Sequence, residues 1–546
     1  MNPDRLLHSR ILLIVLLAVA AVLIYGSSLR NSFVVWDDDS LVYQNPLTQE
    51  MTAKTVFGAF TSYDPELYVP LTIVSFQLEH AVFGFEPFFF HLDNLLLHVL
   101  GAFLVFLLLQ KLGLRRSTSM LGSLLFLVHP INTEAVAWVS ARKDLLSSVF
   151  TLLALLMYRY NGTGRNGITM LFFVLALFSK PVAIILPLAL LIIDWKEQGR
   201  ITQHTILKKW PFFLLSAIFL IIGLYGKQRN IGALTVMQTF LLAAKSTALS
   251  VHTFFWPTAL SPIYLQTNPI SITQGEFLIP LFLVTATALI ILLSLRKTRV
   301  IAFAALFYFL FLLPSFSNFA KDQDVYFFSD RYIYVSQIGL LFILGYGIDR
   351  LARRNWQWIC TAPLVVLFAW QAHAQSLHWK DSETLYRDAL AKNDQSVVMH
   401  YNLAVLEHRR GNRSAALEEY TAALSIDPQY AKALSNLGIL YKEDGNVEKA
   451  MKEFRSAAES DPRSPEPHNN IGSVLMDQGN VDGAIAEFRK AITLSERFAQ
   501  AHINLAAALG RKGLYAEGLR EYKRAFELAP QLLDGLPQIK RALEST

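Results

Sequence analysis

The sequence predicts an all-α protein in which a polytopic helical membrane domain is followed by a soluble α-solenoid. The chain has 546 residues, is 53% hydrophobic and has a mean hydropathy of +0.35, values unusual for a soluble protein of this length. Its apolar runs lie between residues 11 and 374, and a 34-residue period occupies residues 397–532. We therefore divide the chain into a membrane domain (1–378), a linker with half a repeat (379–396), four repeats (397–532) and a C-terminal capping helix (533–546).

The membrane domain is predicted to cross the bilayer eleven times, since a spanning helix needs about 20 mostly apolar residues. The first candidate follows Arg5 and Arg10 and lacks a small-x-small cleavage site, so we expect it to be retained. Residues 231–255 are apolar but contain Lys245 and His252, which indicates an amphipathic helix on the outer surface. If that segment also crosses, there are twelve spans and the C-terminus lies inside. The predicted spans begin at Ile11, Phe88, Ser117, Leu145, Ile168, Pro181, Pro211, Phe277, Val300, Tyr332 and Asn355.

Charge in the loops predicts the orientation, because Lys and Arg accumulate in cytoplasmic loops. The first loop (30–87) carries two basic and eight acidic residues, as expected on the outer face. Residues 379–546 carry 22 Lys and Arg against 24 Asp and Glu, so the pI of about 9.1 comes from the membrane domain and does not indicate nucleic-acid binding. An odd number of spans then places the repeats outside. The basic groups on the N-terminal side are Lys111/Arg115/Arg116, Arg159/Arg165, Lys196/Arg200/Lys208/Lys209, Arg296/Lys297/Arg299 and Arg350/Arg353/Arg354.

The four repeats align at small, aromatic and proline positions. Small residues allow two helices to cross closely, and an aromatic side chain then fills the gap between them. The aligned sets are Ala416/Ala450/Ala484/Gly518, Tyr420/Phe454/Phe488/Tyr522, Ala423/Ala457/Ala491/Ala525 and Pro428/Pro462/Pro530, with Glu496 in place of the third proline. This is the tetratricopeptide pattern. Half a unit, residues 381–392 with Tyr386 and Ala389, joins it to the last span.

One polar position recurs in every repeat, at Asn402, Asn436, Asn470 and Asn504. The set resembles the asparagine ladder in the tetratricopeptide domain of O-GlcNAc transferase, which binds the backbone of an acceptor polypeptide. An amide both donates and accepts, so a ladder can bind an extended chain whatever its side chains. The alternative, that Asn is simply common at this position, stays open.

Three consecutive aspartates, Asp37, Asp38 and Asp39, follow the first span within ten residues. Adjacent carboxylates repel one another, which raises the proton affinity of at least one of them. Such a carboxylate can act as a general base towards a hydroxyl group. On spacing alone, a solvated acidic turn remains the alternative.

Further motifs complete a resemblance that covers nearly the whole chain. They are the sequences at 31–48, 68–72 (YVPLT), 90–98 (FHLDNLLLH), 128–130 (VHP), 134–138 (EAVAW), 140–146 (SARKDLL), 179–180 (SK) and 330–334 (DRYIY). With the repeats, they resemble the transmembrane and tetratricopeptide-repeat O-mannosyltransferases, which are GT-C glycosyltransferases. Val69 stands where that family often has Arg, Pro181 where it has a carboxylate, and Asp93 where an apolar residue is usual. These departures leave the identity of donor and acceptor open.

The resemblance implies inverting transfer of a mannose-like sugar from a polyprenyl phosphate to Ser or Thr hydroxyls of proteins on the outer face. Asp37 and Asp38 match the acidic pair of the catalytic centre, and Asp38, or else its neighbour Asp37, would be the base. The phosphate leaving group needs cations. The candidates are Arg142, Lys143, Lys180 and Arg331, with His129 as a further phosphate ligand or a helix cap. We expect Arg331 and Arg142 foremost, because Arg binds phosphate through two hydrogen bonds; an interfacial anchor is the alternative for each cation.

Three residues are assigned to positioning the sugar or the acceptor: Glu134, Asp39 and Tyr332. No metal or other cofactor is expected to be essential, because a carrier with one phosphate does not require one. His91 and His98 share a helix face but lack a third ligand. The single cysteine, Cys360, excludes an intrachain disulfide and a thiolate cluster.

The expected partners are a lipid-linked sugar as donor, the membrane, and acceptor proteins bound by the repeats. The expected location is the bacterial inner membrane with periplasmic repeats, or the ER membrane with lumenal repeats in a eukaryote. Two other functions stay open: transfer to a lipid or envelope glycan, and a non-catalytic membrane-anchored scaffold. A transporter is disfavoured because the spans show no repeated halves.

Overall fold

The computed structural model describes residues 3–63, 67–160, 166–227, 234–321, 324–351 and 356–529, together with 537, 539 and 541. Within this part of the chain, helices dominate, as predicted. The chain forms two compact units, residues 1–394 and 395–546. Several positions used in the sequence analysis lie outside the described residues: Arg165, Arg353, Arg354, Asn355, Pro530 and most of the predicted capping helix at 533–546.

The first unit consists of seventeen α-helices among the described residues. In chain order they are α1 (Pro3–Tyr25), α2 (Ala53–Thr61), α3 (Pro70–Phe83), α4 (Pro87–Lys111), α5 (Arg116–Val128), α6 (Thr133–Ala137), α7 (Arg142–Tyr160), α8 (Asn166–Ser179), α9 (Leu186–Gln198), α10 (Gln203–Leu207), α11 (Trp210–Lys227), α12 (Val236–Phe255), α13 (Gly275–Ser294), α14 (Val300–Leu312), α15 (Gln337–Leu351), α16 (Trp356–Ser376) and α17 (Ser382–Lys392).

Four of these segments are long and apolar enough to cross a membrane: Arg10–Arg30, Pro87–Lys111, Gly275–Ser294 and Val300–Ser317. A fifth candidate is the bent pair Arg116–Val128 and Pro130–Ala137, whose axes differ by 52° at the break. Pro130 explains the bend, because proline lacks the N–H that would continue the helix. Two shorter apolar helices, Gly167–Ser179 and Trp210–Gly226, coincide with further predicted spans. The count of eleven crossings stays a prediction.

The core of this unit is a continuous apolar cluster between α1, α4, α5, α7, α8, α9, α14, α15 and α16. Leu17 and Phe106 within it are almost fully buried. The outward faces of α1, α11 and α13 expose large apolar residues such as Leu23 and Phe282. An apolar outer face of this kind is what contact with lipid requires.

A small antiparallel sheet was not predicted. Its strands are β1 (Tyr264–Leu265), β2 (Ala320–Lys321) and β3 (Asp324–Phe328), in the order β1-β3-β2. The strands are too short for a period-two pattern to show in the sequence. The sheet matters because β3 leads directly into Ser329–Arg331, which belongs to the candidate site.

The second unit is the predicted array of paired helices. The pairs are α18 (Val397–Arg409) with α19 (Arg413–Ile426), α20 (Ala431–Glu443) with α21 (Val447–Ser460), α22 (Glu466–Asp477) with α23 (Val481–Leu494), and α24 (Ala499–Arg511) with α25 (Tyr515–Leu528). Each pair turns at a glycine with positive φ, at Gly411, Gly445, Gly479 and Gly513. Glycine adopts this backbone conformation without the steric cost of a Cβ atom.

Candidate active site

The acidic loop lies after α1, and its two candidate bases have different surroundings. Asp38 is fully buried. Its Oδ2 accepts from the Val34 amide at 2.9 Å, and its Oδ1 accepts from the amide and hydroxyl of Ser140 at 2.9 and 2.5 Å. Because both oxygens are bonded inside the protein, Asp38 fixes the loop against the turn at Ser140. Asp38 was expected foremost as the base, with Asp37 as the alternative; the burial and hydrogen bonds of Asp38 favour Asp37.

Asp37 is the carboxylate that reaches solvent. Its side chain is 28% exposed, and its Oδ2 lies 3.4 Å from the Nζ of Lys143. The neighbouring Asp39 begins a π-helical turn, Asp39–Tyr43, immediately after the pair. A π-turn widens the backbone and redirects the side chains around it. Of the adjacent pair, Asp37 is therefore the one placed to meet a substrate.

Three cations come together beside Asp37 from distant parts of the sequence. Lys143 stands at the start of α7, Lys180 follows α8, and Arg331 precedes α15. Burial lowers the pKa of Lys143, as do the nearby charges of Lys180 and Arg331, while Asp37 raises it. Lys143, Lys180 and Arg331 were all predicted to bind phosphate, and the structure brings them into one cluster.

Each of these cations has a carboxylate partner. Besides the Lys143–Asp37 pair, Lys180 contacts Asp144 at 2.5 Å, and Arg331 pairs with Glu134. Glu134 also accepts from the Arg331 amide at 2.9 Å and from the Ser329 hydroxyl at 3.0 Å. It was predicted to position sugar or acceptor; its bonds show that it holds Arg331 and the turn around it.

Aromatic rings line the same cluster. The Trp138 ring centroid lies 5.1 Å from the Lys143 Nζ and 5.1 Å from the Arg331 guanidinium carbon. Tyr332 lies 4.9 Å from the guanidinium carbon and 5.8 Å from the Lys180 Nζ. Cation–π contacts of this kind hold flexible cationic side chains in place.

Two donors in the cluster stay unsatisfied within the described part of the chain: the buried Arg331 Nε and the buried Trp138 Nε1. A buried polar atom without a partner calls for an explanation, and a bound ligand is one of the few available. Both atoms are donors, so a ligand that pairs with either would have to supply an acceptor such as a phosphate oxygen. Sequence reasoning gave no role to Trp138 or to Asp144, although both stand inside the quoted motifs.

Arg142 does not belong to this cluster, contrary to expectation. It is 1% exposed, and its guanidinium donates to both oxygens of Glu79 at 2.8 and 3.1 Å. Its remaining donors reach the Asn94 side chain at 2.5 Å and the Phe90 carbonyl at 2.7 Å. With all three guanidinium nitrogens hydrogen-bonded in the interior, Arg142 ties α3, α4 and α7 together and lies apart from the cation cluster. Asp93, noted as a departure from the family, lies 3.6 Å from the same guanidinium.

His129 is likewise a structural residue. Its Nδ1 accepts from the Ile131 amide at 3.2 Å and caps the turn that follows α5. Its Nε2 lies 2.9 Å from the Phe254 carbonyl. Of the two roles considered for His129, this geometry favours the helix cap, because neither ring nitrogen is left for a phosphate.

The four ladder asparagines occupy equivalent, half-buried positions on α18, α20, α22 and α24. Asn436 donates to the Tyr401 hydroxyl at 3.1 Å, and Asn504 donates to Asn469 at 2.8 Å, each in the preceding repeat. These contacts link successive repeats. Recognition of a peptide by the ladder stays a prediction.

Protein-family models for tetratricopeptide repeats match residues 371–431, 407–469 and 472–513. Among curated proteins, the human protein O-mannosyl-transferase TMTC1 is 25% identical over 77% of this chain and 56% of its own length. The mouse protein O-mannosyl-transferase TMTC3 is 25% identical over 74% of this chain and 50% of its own length.

This chain is similar to the transmembrane and tetratricopeptide-repeat O-mannosyltransferases. The resemblance inferred from the motifs is thereby confirmed, although the chain spans only about half the length of the curated relatives it matches. Among solved structures, a thermophilic TPR protein of Thermus thermophilus is 26% identical over 33% of this chain and 94% of its own length, with a TM-score of 0.27. This TM-score is too low to support any conclusion about the fold or function of the chain.

Proposed function

We propose that this protein is an integral-membrane glycosyltransferase that moves a mannose-like sugar from a polyprenyl phosphate to Ser or Thr hydroxyls of proteins on the outer face. The observation that carries the proposal is the position of Asp37 beside the cluster of Lys143, Lys180 and Arg331. A base and a cationic phosphate site next to each other are the two parts that the reaction needs. The relatives named as protein O-mannosyl-transferases support the same reaction class.

In this proposal Asp37 takes the proton of the acceptor hydroxyl. The hydroxyl oxygen forms the new bond to the anomeric carbon, and the bond from that carbon to the phosphate oxygen breaks. The electron pair of the broken bond stays on the polyprenyl phosphate, whose charge grows as the sugar leaves. Attack from the face opposite the phosphate inverts the configuration at the anomeric carbon.

The cluster stabilises the departing phosphate. Cations fixed before the reaction stabilise developing charge without reorganising, and they act more strongly away from bulk water. Arg331 offers an unpaired Nε among the described residues, and Lys143 and Lys180 offer ammonium groups that contact Asp37 and Asp144. These protein groups supply the positive charge that the proposal requires, and no metal or other cofactor is invoked.

The repeats would bind the acceptor polypeptide. The asparagine ladder, with one half-buried amide in each repeat, supports this role. The proposed topology puts repeats and aspartates on the same side: the periplasmic side of a bacterial inner membrane, or the lumenal side of the ER. The matching of three repeat models fits a binding module.

The proposal is tested with the full chain in lipid nanodiscs, labelled polyprenyl-phosphate mannose, and an unfolded Ser- and Thr-rich polypeptide. We expect label on the polypeptide, and a fall of about 10²–10⁴-fold in kcat for Asp37→Asn, as for the loss of a general base. Asp482→Asn, in an exposed side chain on α23, a helix that carries none of the ladder asparagines, is the matched control and keeps the wild-type rate. An Asp37→Asn variant that transfers at the wild-type rate would refute the assignment.

The same assay separates the alternative acceptors. A parallel reaction contains a lipid or glycan acceptor in place of the polypeptide. Label entering only that acceptor would keep the chemistry and change the substrate. Failure of the wild-type protein to transfer to either acceptor would favour the scaffold.

A further inference from the structure

The helix that precedes the repeats in the sequence packs on the acidic loop. The Ser32 amide donates to the Lys380 carbonyl at 3.0 Å. Further along, the Val35 amide donates to the Ser382 hydroxyl at 2.9 Å, and the Tyr386 hydroxyl donates to the Val35 carbonyl. Both polar backbone groups of Val35 are therefore held by side chains of α17.

The two side chains act from one face of the helix. Ser382 and Tyr386 are four residues apart, which places them one above the other on α17. Ser382 is 7% exposed and Tyr386 is 1% exposed, so neither bond is open to competition from water. Within unit one, this helix is attached to the loop by specific hydrogen bonds.

Apolar contacts fix the same arrangement. Val34 of the loop is buried with Trp379 and Leu385 in one cluster, and Trp138 belongs to it as well. The Trp138 and Trp379 rings stack at 5.9 Å with 25° between their planes. Trp138 is also the ring that faces Lys143 and Arg331. Trp138 thus contacts both the cation cluster and the residues around the start of α17.

Val35 stands two residues before Asp37. The residues that flank this segment, Val34 and Asp38, are linked by a hydrogen bond from the Val34 amide to the buried Asp38 carboxylate. The direction of the Asp37 side chain follows from the backbone between these anchors. Asp38 fixes one point of that backbone against Ser140, and α17 fixes the other. Removing either anchor lets the Asp37 carboxylate drift relative to the cations.

We propose that Ser382 and Tyr386 are positioning residues of the transfer reaction, which hold Val35 so that Asp37 faces the acceptor hydroxyl. The inference rests on the proposed function and deepens it, because it makes α17 part of the catalytic apparatus. Reacting groups must be held within about an ångström, and a displacement of that size costs up to about 10²-fold in rate.

The test uses the full chain in nanodiscs with polyprenyl-phosphate mannose and a Ser- and Thr-rich polypeptide. The variants are Ser382→Ala, Tyr386→Phe and both together. We expect kcat to fall at least tenfold in the double variant, while KM for the lipid donor stays within twofold. Amide hydrogen exchange is measured in parallel and should become faster at Val35–Asp37. A loss of folded protein alone would lower the active fraction but would not speed exchange at this one loop.

Controls separate this inference from the function on which it rests. Ser425→Ala with Tyr515→Phe removes the same atoms from exposed positions on α19 and α25, helices that carry none of the ladder asparagines, and should leave kcat unchanged. Ser382→Thr keeps the hydroxyl and should recover most of the rate lost in Ser382→Ala. If the double variant is unstable at the assay temperature, the single variants and this rescue decide the outcome.

Asp37→Asn is run alongside as the reference. If Asp37→Asn loses transfer but the Ser382 and Tyr386 variants keep wild-type kcat and exchange, the positioning role is wrong and the proposed function stands. If Asp37→Asn itself keeps wild-type transfer, the assignment of the base fails and the positioning role fails with it.

Discussion

At the scale of single residues, Asp37 and Asp38 are adjacent in the sequence but have different surroundings. One carboxylate is bonded to three donors in the interior, and the other lies at the surface against a lysine. Arg142 and Arg331 form a similar contrast. Arg142 is enclosed by Glu79 and its neighbours, whereas Arg331 keeps a donor unpaired. In each pair, one side chain is bonded to several partners in the interior, and the other keeps an exposed or unpaired group that the proposed reaction can use.

The Asp38 carboxyl gives a prediction about pH. Burial raises its pKa from 3.8 to about 7, against the opposing effect of the bonds from Ser140 and Val34. Folding therefore favours the protonated form, and the stabilising contribution is complete below pH 3.8 and lost as the pH rises through about 7. We expect the thermal midpoint of the wild type to fall relative to that of Asp38→Asn as the pH rises from 5 to 7.5. A difference that stays constant over this range would contradict the raised pKa.

The two arginines predict different defects. Arg142→Met leaves Glu79 buried without its partner, which costs about 3–5 kcal/mol of stability. Arg331→Met also removes the cation beside a buried carboxylate, Glu134, so the defect that distinguishes it is a rise of at least tenfold in KM for the lipid donor. Arg115→Met, in a side chain that is 61% exposed, is the control for both. Thermal unfolding and donor titration of the three variants provide the test, and the reverse pattern would restore Arg142 to the phosphate site.

At the scale of elements, the repeats show how closely their helices meet. A Cβ atom built on Gly438 would lie 2.6 Å from the Phe454 ring, and one on Gly472 would lie 2.6 Å from Phe488. The aromatic position therefore fills the gap between the two helices, as the sequence alignment predicted. Recurring His–Glu pairs join helices within three of the repeats, at His400–Glu419, His468–Glu487 and His502–Glu521. The second repeat has Leu434 at the histidine position.

This packing predicts opposite effects for two glycine substitutions. Gly438→Ala forces a methyl group against Phe454 and should destabilise the array by about 1–3 kcal/mol. Gly510 has no heavy atom within 4 Å of the same position, so Gly510→Ala should stabilise α24 by about 0.5–1 kcal/mol. Hydrogen exchange of α20 and α24 in the full chain measures both. Equal effects at the two sites would contradict the prediction, because they would show that the Phe454 ring moves aside at little cost in free energy.

At the scale of the whole molecule, the orientation in the bilayer is open to a direct test. With Cys360→Ala the chain contains no cysteine, so single cysteines can be introduced. We expect an impermeant thiol reagent applied from outside to label Ser40→Cys and Ser425→Cys but not Lys297→Cys. Labelling of Lys297→Cys in permeabilised membranes is the control. Protection of Ser425→Cys in intact membranes would place the repeats inside and remove them from the proposed reaction.

The sequence predicted the array in detail because each repeat is a local unit, with spacing set by its own helices. It predicted the cations less well. Lys143, Lys180 and Arg331 come together as the resemblance implied, but Arg142 does not. Its partner Glu79 lies 63 residues away, and only the tertiary fold brings the two together. The attachment of α17 to Val35 crosses more than 340 residues and was invisible for the same reason.

The Lys143–Asp37 contact has a consequence for the timing of the reaction. Under the proposed function, the base is paired with a lysine before any substrate binds, so a water molecule entering alone meets a carboxylate that is already in an ion pair. The phosphate of an arriving donor would compete for that ammonium and release the carboxylate. Binding of the sugar donor would thus free the Asp37 carboxylate before the acceptor binds. This order gives compulsory-order kinetics and limits hydrolysis of the lipid-linked sugar.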